Sequence, residues 1–525
     1  MNKHVPRSAH LLCAGLALAL TTGCGATIGA DAPRVVVGIT DEVLATDPAA
    51  GYDPGSWLLF NNVFQSLLSF PSGGTEPQPE AAEACRFTDG DSQVYRCTLK
   101  KDLTFSNGDP LTSRDVKFSF DRVLAIDDPA GPAVMFKTLD AVETPDERTV
   151  VFRLNVPDAT FPSKIASGAG SLVNHREYPK NQLRTDGEAV GSGPYTLESV
   201  SAGQAVFAVN PEYRGTAEPE NSGVTLRFFH GDQAALKKAL LAGEVDIAYR
   251  GLSAADIADI EARGEHDGVH VVEGNSAEVQ HLVFNMEDPV AGALAVRRAV
   301  AHILDREALI DKVYRDTAIP LYSIVPAAVQ GHTTAFFDAY GASPSVAKAT
   351  AVLRDAGITD KVDLTLWSTP VRYGPSTDAE MAEIAAQLNA SGLFDARMKS
   401  VPFDEYEKGI EAGDYPVYVK GWVPDYPDPD NFTAPFFGEG NVLGNGYENR
   451  TITGELLPRA ALESDRGSAD ADYVRLQAIV AEEVPVLPVW QAKQYAVVRE
   501  GVGEGVVYCL DASTVFRFWK LTKTS

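Results

Sequence analysis

The five cysteines of this 525-residue chain form no C-x-x-C pair, which argues against a thiolate metal site or a dithiol redox motif. Histidine is equally scarce, nine in all with no histidine-rich tract. His266 and His270 have helical metal-ligand spacing, but Gly268 lies between them and no glutamate accompanies them as in H-E-x-x-H. No metal and no cofactor are therefore expected. G-x-S-x-G is absent, so no nucleophile elbow announces a hydrolase. Paired carboxylates for glycoside hydrolysis are a spatial matter that a sequence does not exclude, so a secreted α/β hydrolase stands as the alternative from another class. Basic residues are in deficit, 45 against 72 acidic, for a net charge of −27 at pH 7. Such a surface repels nucleic acid and anionic lipid; it favours cationic ligands only weakly and chiefly aids solubility. Past the N-terminus no apolar run approaches the roughly eighteen residues that cross a bilayer.

The apolar run that does exist, Leu11 to Leu20, follows Lys3 and Arg7 and precedes "TTGCG". That order reads as a secretory signal over residues 1–23, too short to span a membrane as a mature helix. Its end resembles the lipobox of bacterial lipoproteins, with Thr21 where leucine is usual. By that resemblance Cys24 would be diacylated, and residues 24–33 would tether the protein to the extracytoplasmic face of the cell membrane. Ordinary signal cleavage nearby is the alternative. Export permits disulfides. In "CRFTDGDSQVYRC", strands around Phe87 and Tyr95 flank the turn-forming "DGDS" and place Cys85 opposite Cys97, as a bridge or as two buried thiols. Cys509 then reads as a small buried apolar residue.

Roughly 500 mature residues exceed what one core serves, so two or three domains are expected. Strand and helix alternate throughout. "PRVVVGIT" has strand length, and "GSWLLFNNVFQSLLSF" spaces Leu58, Val63 and Leu67 as a helix. Thr112 and Asp115 make a capping-box start ahead of Val116, Phe120, Val123 and Leu124 on one helical face. "VTLRFFHGDQAALKKALLAGEVDIAY" reads as strand, helix and strand with Gly243 ending the helix, a crossover of the kind parallel sheets use. "ALAVRRAVAHILDREALIDKVY" reads as two helices, the second capped by Asp305. "DLTLWST" and "EMAEIAAQLN" repeat strand then helix, with Met381, Ile384, Ala385 and Leu388 facing a core. The class is α/β with mixed sheets. No internal repeat and no flexible interdomain linker are evident, which suggests domains built from discontinuous segments.

Several blocks together, in order, resemble the family 5 extracellular solute-binding proteins, the peptide, nickel and related receptors of ABC importers. They are "LTFSNGDPLTSRDVKFSFDRV", "GSGPYTLESV" with "NPEYRG", "ALLAGEVDI", "LVFNMEDP" with "VRRAVAHILDREALI", and "GWVPDYPDPDNF". The resemblance implies a two-lobed fold of the type II periplasmic-binding-protein kind, closing on ligand about a hinge. Lobe I would comprise 34–65, 191–280 and 490–525, an extra inserted domain 66–190, and lobe II 281–489. It further implies a monomer that captures short peptides without chemistry and hands them to a membrane permease. Nickel chelates, haem, opines and sugars are the alternative ligands within the family, and peptide sensing without import the alternative role.

The loop "KGWVPDYPDPDNF" is stiff, because Pro424, Pro427 and Pro429 lock their own φ and push Val423, Tyr426 and Asp428 toward extended conformations. A stiff loop holds a carboxylate in place before ligand arrives. In peptide-binding members the aspartate three places after the tryptophan receives the peptide's α-amino group; that position here is Asp425, whose alternative is to brace its own loop. Asp428 and Asp430 are expected to stabilise turns or face solvent. An EF-hand is excluded, because its glycine and distal glutamate are missing at the required spacing. Trp422 would wall the cleft or else belong to a core. Arg372, nine residues before Met381, matches an offset at which dipeptide-binding members pair an arginine with the peptide carboxylate; the alternative is a surface role. Trp57, Phe60 and Asn61 lie where members line the first-lobe side of the cleft, against simple helix packing. "GSGPY" reads as a backbone turn, since its spacing is wrong for a P-loop.

Overall fold

The computed structural model describes residues 33–263, 267–370 and 372–524. The signal, Cys24 and His266 lie outside these residues. Among the described residues no helix is long and apolar enough to cross a membrane. His270 falls on a strand, not a helix, so the helical spacing inferred for it does not apply.

Two long antiparallel strands, Val269–Phe284 and Val486–Arg499, form the middle of an eleven-stranded mixed sheet. On one flank Ile247–Tyr249 pairs with Val486–Arg499, and Val35–Ile39 lies parallel between Ile247–Tyr249 and Gly223–Phe228. The expected crossover is therefore real: the helix Gln233–Leu241, ended by Gly243 at φ +77°, joins two strands that flank Val35–Ile39. On the other flank Val417–Trp422 pairs with Val269–Phe284, and Val362–Ser368 runs parallel to Val417–Trp422. The ladder between the long strands is broken by a register shift between Asn275 and Val279. Side chains before the break, such as Val269, pack with Leu236 and Val497, while Val279 and Val283 enter a large core that also holds Leu366, Phe436 and Trp490. One pair of strands thus contributes to two separate cores, with the register shift between them.

Local signals behave as their chemistry dictates. The helix Ser113–Ile126 opens on the Thr112/Asp115 capping box and buries Val116, Phe120 and Val123, leaving Leu124 half-buried. Asp305 caps its helix by accepting from Ala308 N–H at 3.0 Å. The helix expected through Leu67 stops at Val63, and Leu67 reaches the core from the loop that follows. The reason lies in "GSGPY": Gly193 N–H donates to Val63 O at 2.8 Å, so the helix's terminal carbonyl is capped by a distant segment. A Cβ at Gly191 would sit 2.1 Å from that carbonyl oxygen, which is why glycine stands there.

Residues 66–190 carry an antiparallel sheet of four strands, Ala82–Phe87, Val94–Leu99, Thr149–Leu154 and Leu139–Glu143, in that spatial order. Cys85 and Cys97 face one another in register and are joined by a disulfide. Replacing both by alanine is expected to cost about 3 kcal/mol, the chain-entropy value for a loop of this order. Urea unfolding of the variant against the oxidised parent checks it; coincident curves would show that the ladder alone holds the hairpin. Among the described residues the segment forms no separate core. Phe120, Phe136 and Phe152 belong to the same continuous cluster as Val37, Phe60, Phe207 and Phe518, so this segment shares one core with the strand Val35–Ile39 and the helix Pro54–Val63.

Candidate functional site

The two large cores face each other across a cavity of about 350 Å³. Tyr52, Trp57, Tyr249 and Phe516 line it from the first side, and Arg372, Tyr373, Lys420, Trp422 and Asp425 from the second. The two sides are in direct contact beside it. Ala159 N–H donates to Ala461 O at 2.9 Å, Ser92 Oγ to Leu462 O at 2.7 Å, and Tyr426 of the proline-rich loop is buried in the first core.

The loop is organised by Asn431, which sequence reasoning did not single out. Its Oδ1 accepts from Trp422 Nε1 at 3.1 Å and from Asp425 N–H at 2.9 Å, while its Nδ2 donates to Asp425 Oδ2 at 3.1 Å. Asp425 is thereby braced by its own loop, but only on one oxygen. Its other oxygen, Oδ1, accepts from Tyr52 Oη at 2.7 Å, across the cleft. Tyr52 is placed by the start of the helix Pro54–Val63, where Asp53 accepts from Ser56 N–H at 2.9 Å and Pro54 occupies the first turn. Burial raises the Asp425 carboxyl above its ordinary value, against the opposing hydrogen bonds from Tyr52 and Asn431 and the charge of Lys164. Burial, and then the Asp425 charge, hold the Tyr52 phenol well above its own. The carboxylate is consequently pre-oriented and poorly solvated.

Trp422 is half-buried, its ring edge-on to Phe436 at 5.1 Å, with a surface left to the cavity. Arg372 is exposed at the cavity wall and its guanidinium stacks over Phe403 at 5.0 Å. Trp57 lines the cavity as expected; its Nε1–H donates to Gly51 O at 3.1 Å, and its indole packs so closely on Gly168 that a Cβ there would lie 2.7 Å away. Phe60 and Asn61 do not line it. They sit one turn further along the helix, about 5 Å, where Phe60 is fully buried and both border a separate cavity of about 60 Å³.

Asp428 and Asp430 do not face solvent. Asp428 caps the turn Pro429–Phe432 and makes a bidentate pair with Arg466, at 2.8 and 2.9 Å. Burial, with Asp428 adding to it, pushes the Asp430 carboxyl up to about 6.

Six charged wall residues escaped the sequence reading: Asp41, Asp53, Arg250, Glu278, Glu407 and Lys420. Arg250, at φ +48°, pairs with Asp41 at 3.1 Å, and its charge is reinforced by Asp41 against the opposing effect of burial. Glu278 stands at the break in the long strand. Lys420 is lowered by burial, with Glu407 opposing. The Arg-Gly pair at 250–251 and a lone acid in "AEVQHLVF" were the available signals, faint because neither has a local partner. Among the described residues no group of three metal-binding side chains comes together.

Comparison with known proteins gives the arrangement its context. The profile of "Bacterial extracellular solute-binding proteins, family 5 Middle" matches residues 76–444. The chain is 26% identical over 506 residues to "Probable D,D-dipeptide-binding periplasmic protein DdpA" of Escherichia coli K12, covering 93% of this chain and 94% of that one. Among solved structures it resembles HbpA2 of Haemophilus parasuis, with a TM-score of 0.80 and 22% identity over 94% of this chain and 100% of that one. It also resembles the binding protein DppA of Helicobacter pylori in complex with the peptide STSA, with a TM-score of 0.75 and 20% identity over 94% and 98%. The fold is that of the type II periplasmic binding proteins. With its profile match covering more than half of its length, the chain belongs to family 5 of the bacterial extracellular solute-binding proteins.

Proposed function

We propose that this protein is the substrate-binding component of an ABC importer, capturing short peptides in the interlobe cleft and delivering them to a membrane permease. It acts as a lipid-anchored monomer, held by Cys24 at the outer face of the cell membrane, and performs no catalysis. The observation that carries the reading is Asp425, a carboxylate fixed by Asn431 and Tyr52 in the wall of the interlobe cavity. An α-ammonium that meets it makes a charged hydrogen bond worth about 1.5–3 kcal/mol, with little ordering cost on the protein side. Arg372, and Lys420 beside it in the wall, suit the opposite end of a zwitterionic ligand. Trp422 and Trp57 offer apolar faces that accept varied side chains. The relatives named for dipeptides support the same ligand class.

Isothermal titration with di-, tri- and pentapeptides and their N-acetylated forms tests the reading. Free peptides are expected to bind and acetylated ones to fail; indifference to acetylation would remove the amine-receptor role and direct screening to metal chelates, haem, opines and sugars.

The same pair sets a pH dependence. Binding requires Asp425 ionised and the amine protonated, so ligand lowers the aspartate's raised pKa. Affinity is expected to fall on acidification through that pKa, and to fall again above the α-amino pKa of about 8. Titrations across this range with one tripeptide would show it; a flat profile would exclude an ammonium–carboxylate contact.

A further inference from the structure

We propose that Glu278 receives a cationic side chain of the bound peptide, a lysine ammonium or arginine guanidinium, so that this cleft selects basic peptides. The proposal rests on the peptide reading above and adds the class of peptide.

Glu278 lies between Asn275 and Val279, where the register between the two long strands shifts, and it reaches the wall of the interlobe cavity. It lines the 350 Å³ cavity and also an adjoining one of about 240 Å³, the two sharing Tyr249, Arg250 and Tyr373 as common wall. The residue is half-buried. Among the described residues its carboxylate makes no hydrogen bond and no ion pair; only its backbone N–H is engaged, with Ser276 Oγ at 3.0 Å. The cations around it are committed elsewhere. Arg250 pairs with Asp41 at 3.1 Å, and Lys493 with Glu273 at 3.1 Å. Asp41, Arg250 and Glu278 together therefore keep one negative charge in excess. Burial raises the Glu278 carboxyl, with Arg250 opposing and Asp41 adding to it.

A poorly solvated carboxylate without a direct counter-ion is a costly arrangement that a ligand cation relieves. The adjoining cavity suits the rest of such a side chain. Tyr249, Tyr314, Tyr373 and Trp490 line it, giving the aliphatic stem apolar surface and the charged head aromatic faces. The larger cavity carries five acidic against three basic side chains, so an excess of negative charge persists after Asp425 and Arg372 have taken the two ends of a peptide.

The test is calorimetric titration of alanine tripeptides carrying lysine at position 1, 2 or 3, each against its norleucine counterpart, with the parent protein, Glu278→Gln and Glu278→Asp. In the parent, lysine is expected to exceed norleucine by about tenfold or more at one position, as a charged hydrogen bond predicts. Glu278→Gln is expected to bring that ratio to within about twofold, and Glu278→Asp to retain a preference. Equal binding of lysine and norleucine at all three positions overturns the inference while leaving peptide capture intact. So does a preference that survives Glu278→Gln, or a loss of all peptides in both variants at unchanged melting temperature, which would make Glu278 a structural member of the cleft. Failure of the parent to bind any tripeptide would defeat the peptide reading, and the inference with it.

Discussion

Asp425→Ala is expected to weaken binding of free peptides by roughly 10- to 150-fold, the equivalent of one charged hydrogen bond of about 1.5–3 kcal/mol. The geometry sets the expectation at the upper end. Asn431 and Tyr52 hold both carboxylate oxygens before ligand arrives, so little entropy is lost in orienting them, and burial leaves the carboxylate poorly solvated. Tyr52 Oη would also lose its acceptor, removing a hydrogen bond between the lobes. Asp425→Asn separates these effects, since an amide keeps the shape and much of the hydrogen bonding but not the charge. Calorimetric titration of a tripeptide and its N-acetylated form should show Asp425→Asn nearly as weak as Asp425→Ala for the free peptide. If both variants bind as the parent does, the carboxylate serves only to brace its loop.

The second large effect concerns stability. Arg122→Ala is expected to cost about 3–5 kcal/mol, because it strands a buried carboxylate. Arg122 and Asp47 are both almost wholly excluded from solvent, at 1% and 2% exposure. The guanidinium meets Asp47 through two nitrogens, at 2.7 and 2.5 Å, and donates as well to Pro179 O and Gln182 O. Asp47 in turn accepts from the backbone N–H groups of Ala49 and Arg184. The pair joins the helix Ser113–Ile126 of the inserted segment to the strand–helix connection of lobe I, so its loss should loosen the segment that shares that core. Urea unfolding followed by tryptophan fluorescence measures the cost. The double variant Arg122→Met with Asp47→Asn should recover part of it, since neither partner is then left charged and alone; a single-variant loss below about 1 kcal/mol would show that the site is hydrated.

The capping box at Thr112, the cap at Asp305, the helix end at Gly243 and the facing cysteines were all legible, because each depends on residues within a dozen positions of one another. The early end of the helix after Val63 was not, because the group that caps it belongs to Gly193. Phe60 and Asn61 were misplaced for a related reason: helical periodicity tells which side a residue faces, but not how far along its axis a helix leaves the cleft and enters a core. Asn431 was hidden in plain view inside the quoted loop, since an asparagine there reads as an ordinary turn residue until its three hydrogen bonds are seen.

By itself the sequence determined the α/β class, most of the local elements, the family, and the loop that presents Trp422 and Asp425. The tertiary structure decided what that loop faces. Tyr52 and Asp425 are 373 residues apart in sequence and share a hydrogen bond, and Arg250, Glu278 and Arg372 arrive at the same cavity from three further segments. Their meeting follows from the register of two long strands and the packing of two cores, and such long-range pairing leaves no periodic trace in a sequence from which it could be read.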